Sequence, residues 1–177
     1  AQAPNTLTSH MSFFTGLYPP EHAVYPPDSV LSPEIPTLPE LFSEAGFHTG
    51  GFVEGVFMKG SYGFARGFDR WNDRIGPHLP VEIERTVERG LEFLNGLDGD
   101  ERFFLFLHTY AVHDPYDPPE PFRSLFWDGP RPEGAFDPVA PNLMAFNRRE
   151  RGLSRAGLRW FQALYDCLLY TSDAADE

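Results

Sequence analysis

Cysteine is almost absent from this 177-residue chain: Cys167 stands alone, which excludes a disulfide framework and a cysteine-based metal cluster. Basic residues are also scarce, 14 Lys and Arg against 26 Asp and Glu. The net charge of −12 leaves no basic stripe to neutralise phosphates, so nucleic acid is not an expected partner. No apolar run approaches the roughly 20 residues needed to cross a bilayer, and no membrane-spanning segment is expected. An initiator Met is missing as well, and a signal peptide would lie upstream of Ala1. What the chain does have is aromatic residues, at 15%, and hydrophobic residues, at 41%, with 18 Pro and 16 Gly. That mixture reads as globular and loop-rich, with length for one domain and hardly for two.

Along the chain, helical and strand patterns alternate. The residues predict a short helix over Ser9 to Phe14 with Gly16 to Pro20 as its exit, and a second over Pro39 to Ala45 with Thr37 as cap and Gly46 as stop. In the second, Leu38, Leu41, Phe42 and Ala45 recur at helical spacing and are expected to cover one face of a sheet. Phe47 to Val53 reads as a strand, and Glu54 to Trp71 as a Gly-rich and aromatic-rich loop. Val81 to Leu97 reads as a helix with Ile83, Val87, Leu91 and Leu94 on its apolar face. Phe103 to Leu107 is an unbroken apolar run, the pattern of a central parallel strand. A Pro-rich loop is expected from Asp114 to Pro141 and a last helix from Leu153 to Tyr165. This order predicts an open α/β sheet with helices on its faces, whose ligands bind at the carboxyl ends of the strands.

Two segments carry chemistry. Thr6-Leu7-Thr8-Ser9-His10-Met11-Ser12-Phe13-Phe14-Thr15-Gly16 puts hydroxyls and an imidazole where a helix begins. Free backbone N–H groups there suit an anionic ester and the charge formed during attack. The plain alternative is that Thr6 or Thr8 caps the helix. After the strand at Phe103 comes His108-Thr109-Tyr110-Ala111-Val112-His113-Asp114-Pro115-Tyr116, at the end where ligands bind. There His108, close to the buried strand, is read as structural and His113, on the loop, as functional.

The first segment resembles the active-site signature of the sulfatases of the alkaline-phosphatase superfamily: Cys or Ser, any residue, Pro-Ser-Arg, then an apolar stretch ending Thr-Gly. Thr6 falls at the nucleophile, Thr8 at the Pro, Ser9 at the Ser and His10 at the Arg. His113-Asp114-Pro115-Tyr116 resembles the family's His-x-Pro-Tyr turn. Further landmarks follow in order: Thr15-Gly16-Leu17-Tyr18-Pro19 with His22, Thr37 to Phe42 with Ala45 to Thr49, and Gly63-Phe64 with Gly67-Phe68-Asp69.

The resemblance spans about residues 4 to 166 and implies a partial three-layer α/β/α sandwich with a mostly parallel sheet, alkaline-phosphatase-like. It implies a hydrolase acting on sulfate esters by metal-assisted in-line displacement, with Thr6, His10 and His113 as site residues and His113 contacting the anion or protonating the leaving oxygen. Ca²⁺ or Mg²⁺ is the implied cation, with Thr6 as one ligand and the remaining ligands outside the chain. The implied substrate is a small anionic ester or a sulfated carbohydrate, and the implied compartment is periplasmic or secreted.

Formylglycine is not expected at Thr6, because a threonine cannot give that aldehyde. An unmodified Thr suits a phosphodiesterase or phosphoryl transferase of the superfamily, and a non-catalytic sulfatase-like binding domain is the third reading. The family's Lys-Trp-His segment is replaced by Phe57-Met58-Lys59-Gly60-Ser61, and Lys59 is read as a surface residue. Residues 1–166 are expected to be a catalytic domain truncated at both ends and inactive alone, and 167–177 a non-native read-through tail in which Asp173 is a decoy for a metal ligand.

Overall fold

Three parallel strands form the sheet of the first unit, Ala1–Tyr110, in the order β2-β1-β3, with β1 at His48–Val53, β2 at Arg70–Asn72 and β3 at Phe103–His108. The computed structural model describes residues 1–73 and 83–173. β1 pairs β3 from His48↔Phe103 to Val53↔His108, so both strands end at the same edge. β2 overlaps the end of the expected loop Glu54 to Trp71; at three residues it is too short to show an alternation. β3 is the outer neighbour of β1 among the described residues rather than a central strand, with Phe103 and Leu107 exposed.

Both faces of the sheet carry helices. On one side, α4 (Ile83–Asn95) lays Phe93 across Gly50, where a Cβ would come within 2.9 Å of the ring. Its Gly90 gives the same close approach to Leu107. The buried residues of α4 are Thr86, Gly90 and Phe93, while Leu91 is 52% exposed. The apolar stripe therefore sits one position off the expected Leu91 line, because the small Gly90 is what the sheet accepts. The expected start at Val81 lies outside the described residues.

On the other side are α1 (Thr6–Thr15), the single turn α2 (Pro19–His22) and α3 (Leu38–Glu44). α3 begins at Thr37, which closes a capping box with Glu40. Its Phe42 stacks on Phe104 of β3, centroids 4.5 Å apart, but Leu41 and Ala45 are exposed. α1 is four residues longer than the sequence suggests and buries Leu7, Met11 and Phe14 against Val24, Leu31, Val53, Met58 and Phe64. Phe14 meets Phe64 and Phe106 edge to face.

The second unit, Ala111–Glu177, contains α5 (Phe122–Phe126), α6 (Ala140–Asn147) and α7 (Arg155–Asp173). Against the expected loop from Asp114 to Pro141 and last helix from Leu153 to Tyr165, the chain forms α5 and the start of α6 within the first and carries α7 two turns beyond the second. Pro121 and Pro141 stand at the helix starts, where a missing N–H costs nothing. Phe136 packs edge to face on Phe161, and Leu164, Cys167 and Leu168 are buried. Burial raises the Cys167 thiol pKa.

Candidate active site

Asn5 fixes the start of α1. It is extended and its Oδ1 accepts from the Thr8 amide at 3.0 Å, so the N-cap is neither of the threonines considered from sequence. Thr8 instead donates its hydroxyl to the Val24 carbonyl at 3.0 Å, fully buried. Thr6 is the first helical residue, partly exposed, and its side-chain hydroxyl makes no hydrogen bond among the described residues. The first-turn amides of Thr6 and Leu7 have no intrahelical acceptor and face the same end of the helix.

With Leu7, Met11 and Phe14 turned to the core, Thr6, His10 and Phe13 share the adjacent stripe at helical spacing. That stripe runs beside the end of β3. Phe13 lies 6.1 Å from Phe106, and His10 lies 5.0 Å from His108, ring to ring, at 84°. His10 Nδ1 donates to the Thr6 carbonyl at 2.9 Å. His108 Nδ1 donates to the Glu54 carbonyl at 3.0 Å, completing the pairing of β1 and β3 in which Glu54 N–H donates to the His108 carbonyl at 3.0 Å. Burial, with a smaller contribution from His10, lowers the His108 pKa to about 4. His108 is thus neutral at neutral pH.

Glu54, at the head of the expected loop Glu54 to Trp71 and singled out by no motif, is 0% exposed. Its carboxylate accepts from Thr86 Oγ1 at 2.7 Å, Thr109 Oγ1 at 3.3 Å and the Tyr110 amide at 2.9 Å. It ties together the carboxyl ends of β1 and β3 and the first turn of α4. Its only signal in the sequence is a lone acid directly after the apolar Phe52-Val53.

Thr6 and His10 are thus brought together on one helix face, with His108 beside His10. His113 belongs to the second unit, in the turn after Tyr110, where it is exposed and its Nδ1 lies 3.1 Å from both the carbonyl and a carboxylate oxygen of Asp114. Lys59 is exposed. A cavity of about 540 Å³ in the second unit is lined by Tyr116, Trp127, Arg131 and Trp160 among others, and by none of the expected site residues.

A parallel sheet with helices on both faces, and two imidazoles meeting at the carboxyl end of β3 beside a helix that begins with a free hydroxyl, define an α/β protein with a candidate site at that edge. The chain belongs to the sulfatase family, whose model, described as Sulfatase, matches residues 1–171. Two solved structures share the fold. One is BT4656 in complex with its substrate D-glucosamine-2-N,6-O-disulfate, TM-score 0.60 and 15% identity over 98% of this chain and 46% of that chain. The other is BT1596, a 2-O GAG sulfatase, TM-score 0.57 and 18% identity over 98% of this chain and 43% of that one. The chain therefore spans less than half the length of these structural relatives. A curated sequence, imidazole glycerol phosphate synthase subunit HisH of Streptomyces avermitilis, is 46% identical over 55 residues, 27% of this chain and 25% of that protein; so short a stretch assigns neither fold nor activity.

Proposed function

We propose that this chain carries the nucleophile of a sulfate-ester hydrolase, with Thr6 as the attacking group. The observation that carries the reading is the family match over residues 1–171. It is supported by the unbonded Thr6 hydroxyl at the α1 N-terminus, where two orphan amides can receive the anion. In-line attack of Thr6 Oγ1 on sulfur breaks the bond to the ester oxygen, which leaves as the alcohol on taking a proton from water. Water then displaces Thr6 from sulfur. His10, one turn along the same face, is the activating partner of Thr6, which needs one because a threonine hydroxyl does not ionise at neutral pH unaided. A sulfated carbohydrate is the proposed substrate class, after the ligands of the two structural relatives, and a periplasmic or secreted location goes with it.

Ca²⁺ and Mg²⁺ do not fit the donors at hand. Both take oxygen ligands, chiefly carboxylates, and among the described residues no group of three or more His, Cys, Asp or Glu comes together. The Glu54 carboxylate is already engaged by two hydroxyls and an amide. No step is derived through either ion.

The unmodified Thr6 also favours phosphoryl transfer, so the test sets the two esters against each other. Nitrophenyl sulfate and bis-nitrophenyl phosphate are offered to the chain, and to any longer polypeptide containing it, as wild type, Thr6→Ser and Thr6→Ala. Sulfate-ester turnover retained by Ser and lost with Ala supports the reading. Turnover of the phosphodiester alone replaces it with the phosphoryl-transfer reading, and binding without turnover of either replaces it with a binding domain.

A further inference from the structure

Two of the chain's three tryptophans, Trp127 and Trp160, line the one cavity of about 540 Å³ in the second unit, a volume inside the roughly 300–1,000 Å³ span of small-molecule sites. Tyr116 is the third aromatic residue of the wall. Trp127 is held by its Nε1, which donates to the Pro130 carbonyl at 3.1 Å, and no other ring stacks on it among the described residues. Tyr116 packs edge to face on Tyr165, centroids 5.5 Å apart, and its hydroxyl bonds to nothing among the described residues. Burial, with Asp114 and Tyr165 nearby, raises its pKa and keeps it a neutral donor. The charged groups of the same wall are paired. Arg123 donates from Nη2 to Asp117, stands 4.0 Å from Glu120, and reaches the Pro118 carbonyl with Nε and Nη2 at 3.2 and 3.0 Å. Arg131 donates to Asp137 at 2.6 Å and to the Ala135 carbonyl, and its guanidinium lies 5.3 Å from the Trp160 ring centroid. These ties hold the side chains in place before a ligand arrives. Arg123 Nη1 and the exposed Asp128 carboxylate are left over, neither with a partner among the described residues.

We propose that this cavity binds a neutral, polyhydroxylated ring: a sugar unit that carries neither a sulfate nor an ammonium group. The faces of such a ring are C–H surface, which the flat indole of Trp127 can cover at little entropic cost. Its rim is hydroxyls, each able to donate to a carboxylate, which only accepts, and to accept from a guanidinium, which only donates. The wall offers both kinds of group, and Arg123 Nη1, Asp128 and the Tyr116 hydroxyl are the unused ones. An anionic ligand does not suit it, because four carboxylates, of Asp117, Glu120, Asp128 and Asp137, stand against two guanidiniums. Nor does an organic cation, because both guanidiniums repel it and Arg131 already lies over Trp160. The site lies wholly within the second unit and goes beyond the assignment of Thr6, on which it does not rest.

The test titrates the 177-residue chain with the methyl glycosides of glucose, galactose and N-acetylglucosamine and with lactose, read by tryptophan fluorescence and by saturation-transfer NMR of the sugar. Tetramethylammonium and glucosamine 6-sulfate are titrated in parallel as the cationic and anionic alternatives. Wild type, Trp127→Ala, Asp128→Ala and Thr6→Ala are compared, with folding checked by circular dichroism. We expect at least one of the neutral sugars to bind in the millimolar range, about tenfold more weakly in Trp127→Ala and measurably more weakly in Asp128→Ala. Because Asp128 is exposed and bonds to nothing among the described residues, Asp128→Ala decides the matter even where Trp127→Ala fails to fold. Thr6→Ala should bind the sugar as wild type, so this site and the assignment of Thr6 stand or fall separately. No binding of any of the neutral sugars at tens of millimolar, or binding unchanged in either folded cavity variant, overturns the proposal. Tighter, Trp127-dependent binding of tetramethylammonium or of glucosamine 6-sulfate than of every neutral sugar overturns it too.

Discussion

Helix capping and chemistry fall on adjacent residues at the start of α1, and mutating each one separates them. Asn5 supplies the cap, accepting the Thr8 amide at 3.0 Å, so Asn5→Ala removes that bond and should cost about 1 kcal/mol, within the 0.5–2 kcal/mol seen for lost caps. For a chain of this length that is a fall of about 2–4 °C in Tm. Thr6 is already helical and its hydroxyl bonds to nothing among the described residues, so Thr6→Ala breaks no bond. It also replaces a β-branched residue with the best helix former, worth up to about 0.7 kcal/mol in favour of the variant. The two alanine variants should therefore differ by about 1–2 kcal/mol in stability, with Asn5→Ala the weaker. Their effects on ester turnover should run the other way. Paired thermal and urea melts read the stability side. Equal destabilisation by the two substitutions would show that Thr6 shares the cap, and the argument for a hydroxyl left free for attack would fail.

Glu54→Ala removes a buried carboxylate that accepts from the Tyr110 amide and two hydroxyls, and urea denaturation should show a loss of about 1–3 kcal/mol. Phe14→Ala opens a cavity among Phe64, Phe68 and Phe106 and should cost about 3–5 kcal/mol by the same assay. Gly67→Ala should prevent the first unit from folding, since φ is +78° and the new Cβ would sit 2.2 Å from the Glu40 backbone nitrogen, whereas Gly99→Ala, with open space around it, should melt as wild type. His22 accepts from the Val24 amide at Nδ1 and donates from Nε2 to Ser12, and burial lowers its pKa below 6.5. The folded state therefore binds fewer protons than the unfolded state. Stability present above about pH 6.5 should fall as pH drops below it, as His108 also requires. Melts in steps from about pH 7 to about pH 5 should show that slope, reduced in His22→Gln.

The parts of the fold legible in the sequence were those written in local patterns. The Thr37-to-Gly46 boundaries of α3 were marked by a capping box and a positive-φ glycine. The strand at Phe103 was marked by an unbroken apolar run bounded by charges, and the one at His48 by its place after the Gly46 stop and its end in Phe52-Val53. What was hidden depends on partners far along the chain. β2 exists because Arg70 to Asn72 pair with Gly50 to Phe52, and no three-residue segment reveals that alone. The buried face of α4 was displaced from Leu91 to Gly90 and Phe93 because two glycines, one on the helix and one on β1, set how closely the layers approach. At the site, the family signature pointed to Thr6 and His10, but not to Glu54, whose burial depends on Thr86, Thr109 and Tyr110. The structural reading of His108 agrees with its ring bond to the Glu54 carbonyl, and its contact with His10, 98 positions away, is not visible in any local pattern.

The central claim, that Thr6 attacks a sulfate ester, is tested most directly by kcat/KM for a sulfated glucosamine with Thr6→Ser and Thr6→Ala in a polypeptide containing this chain and active as wild type. The account requires Thr6→Ser to remain active and Thr6→Ala to lose turnover by several powers of ten while melting no lower than wild type. Near-normal turnover in a well-folded Thr6→Ala protein would contradict it.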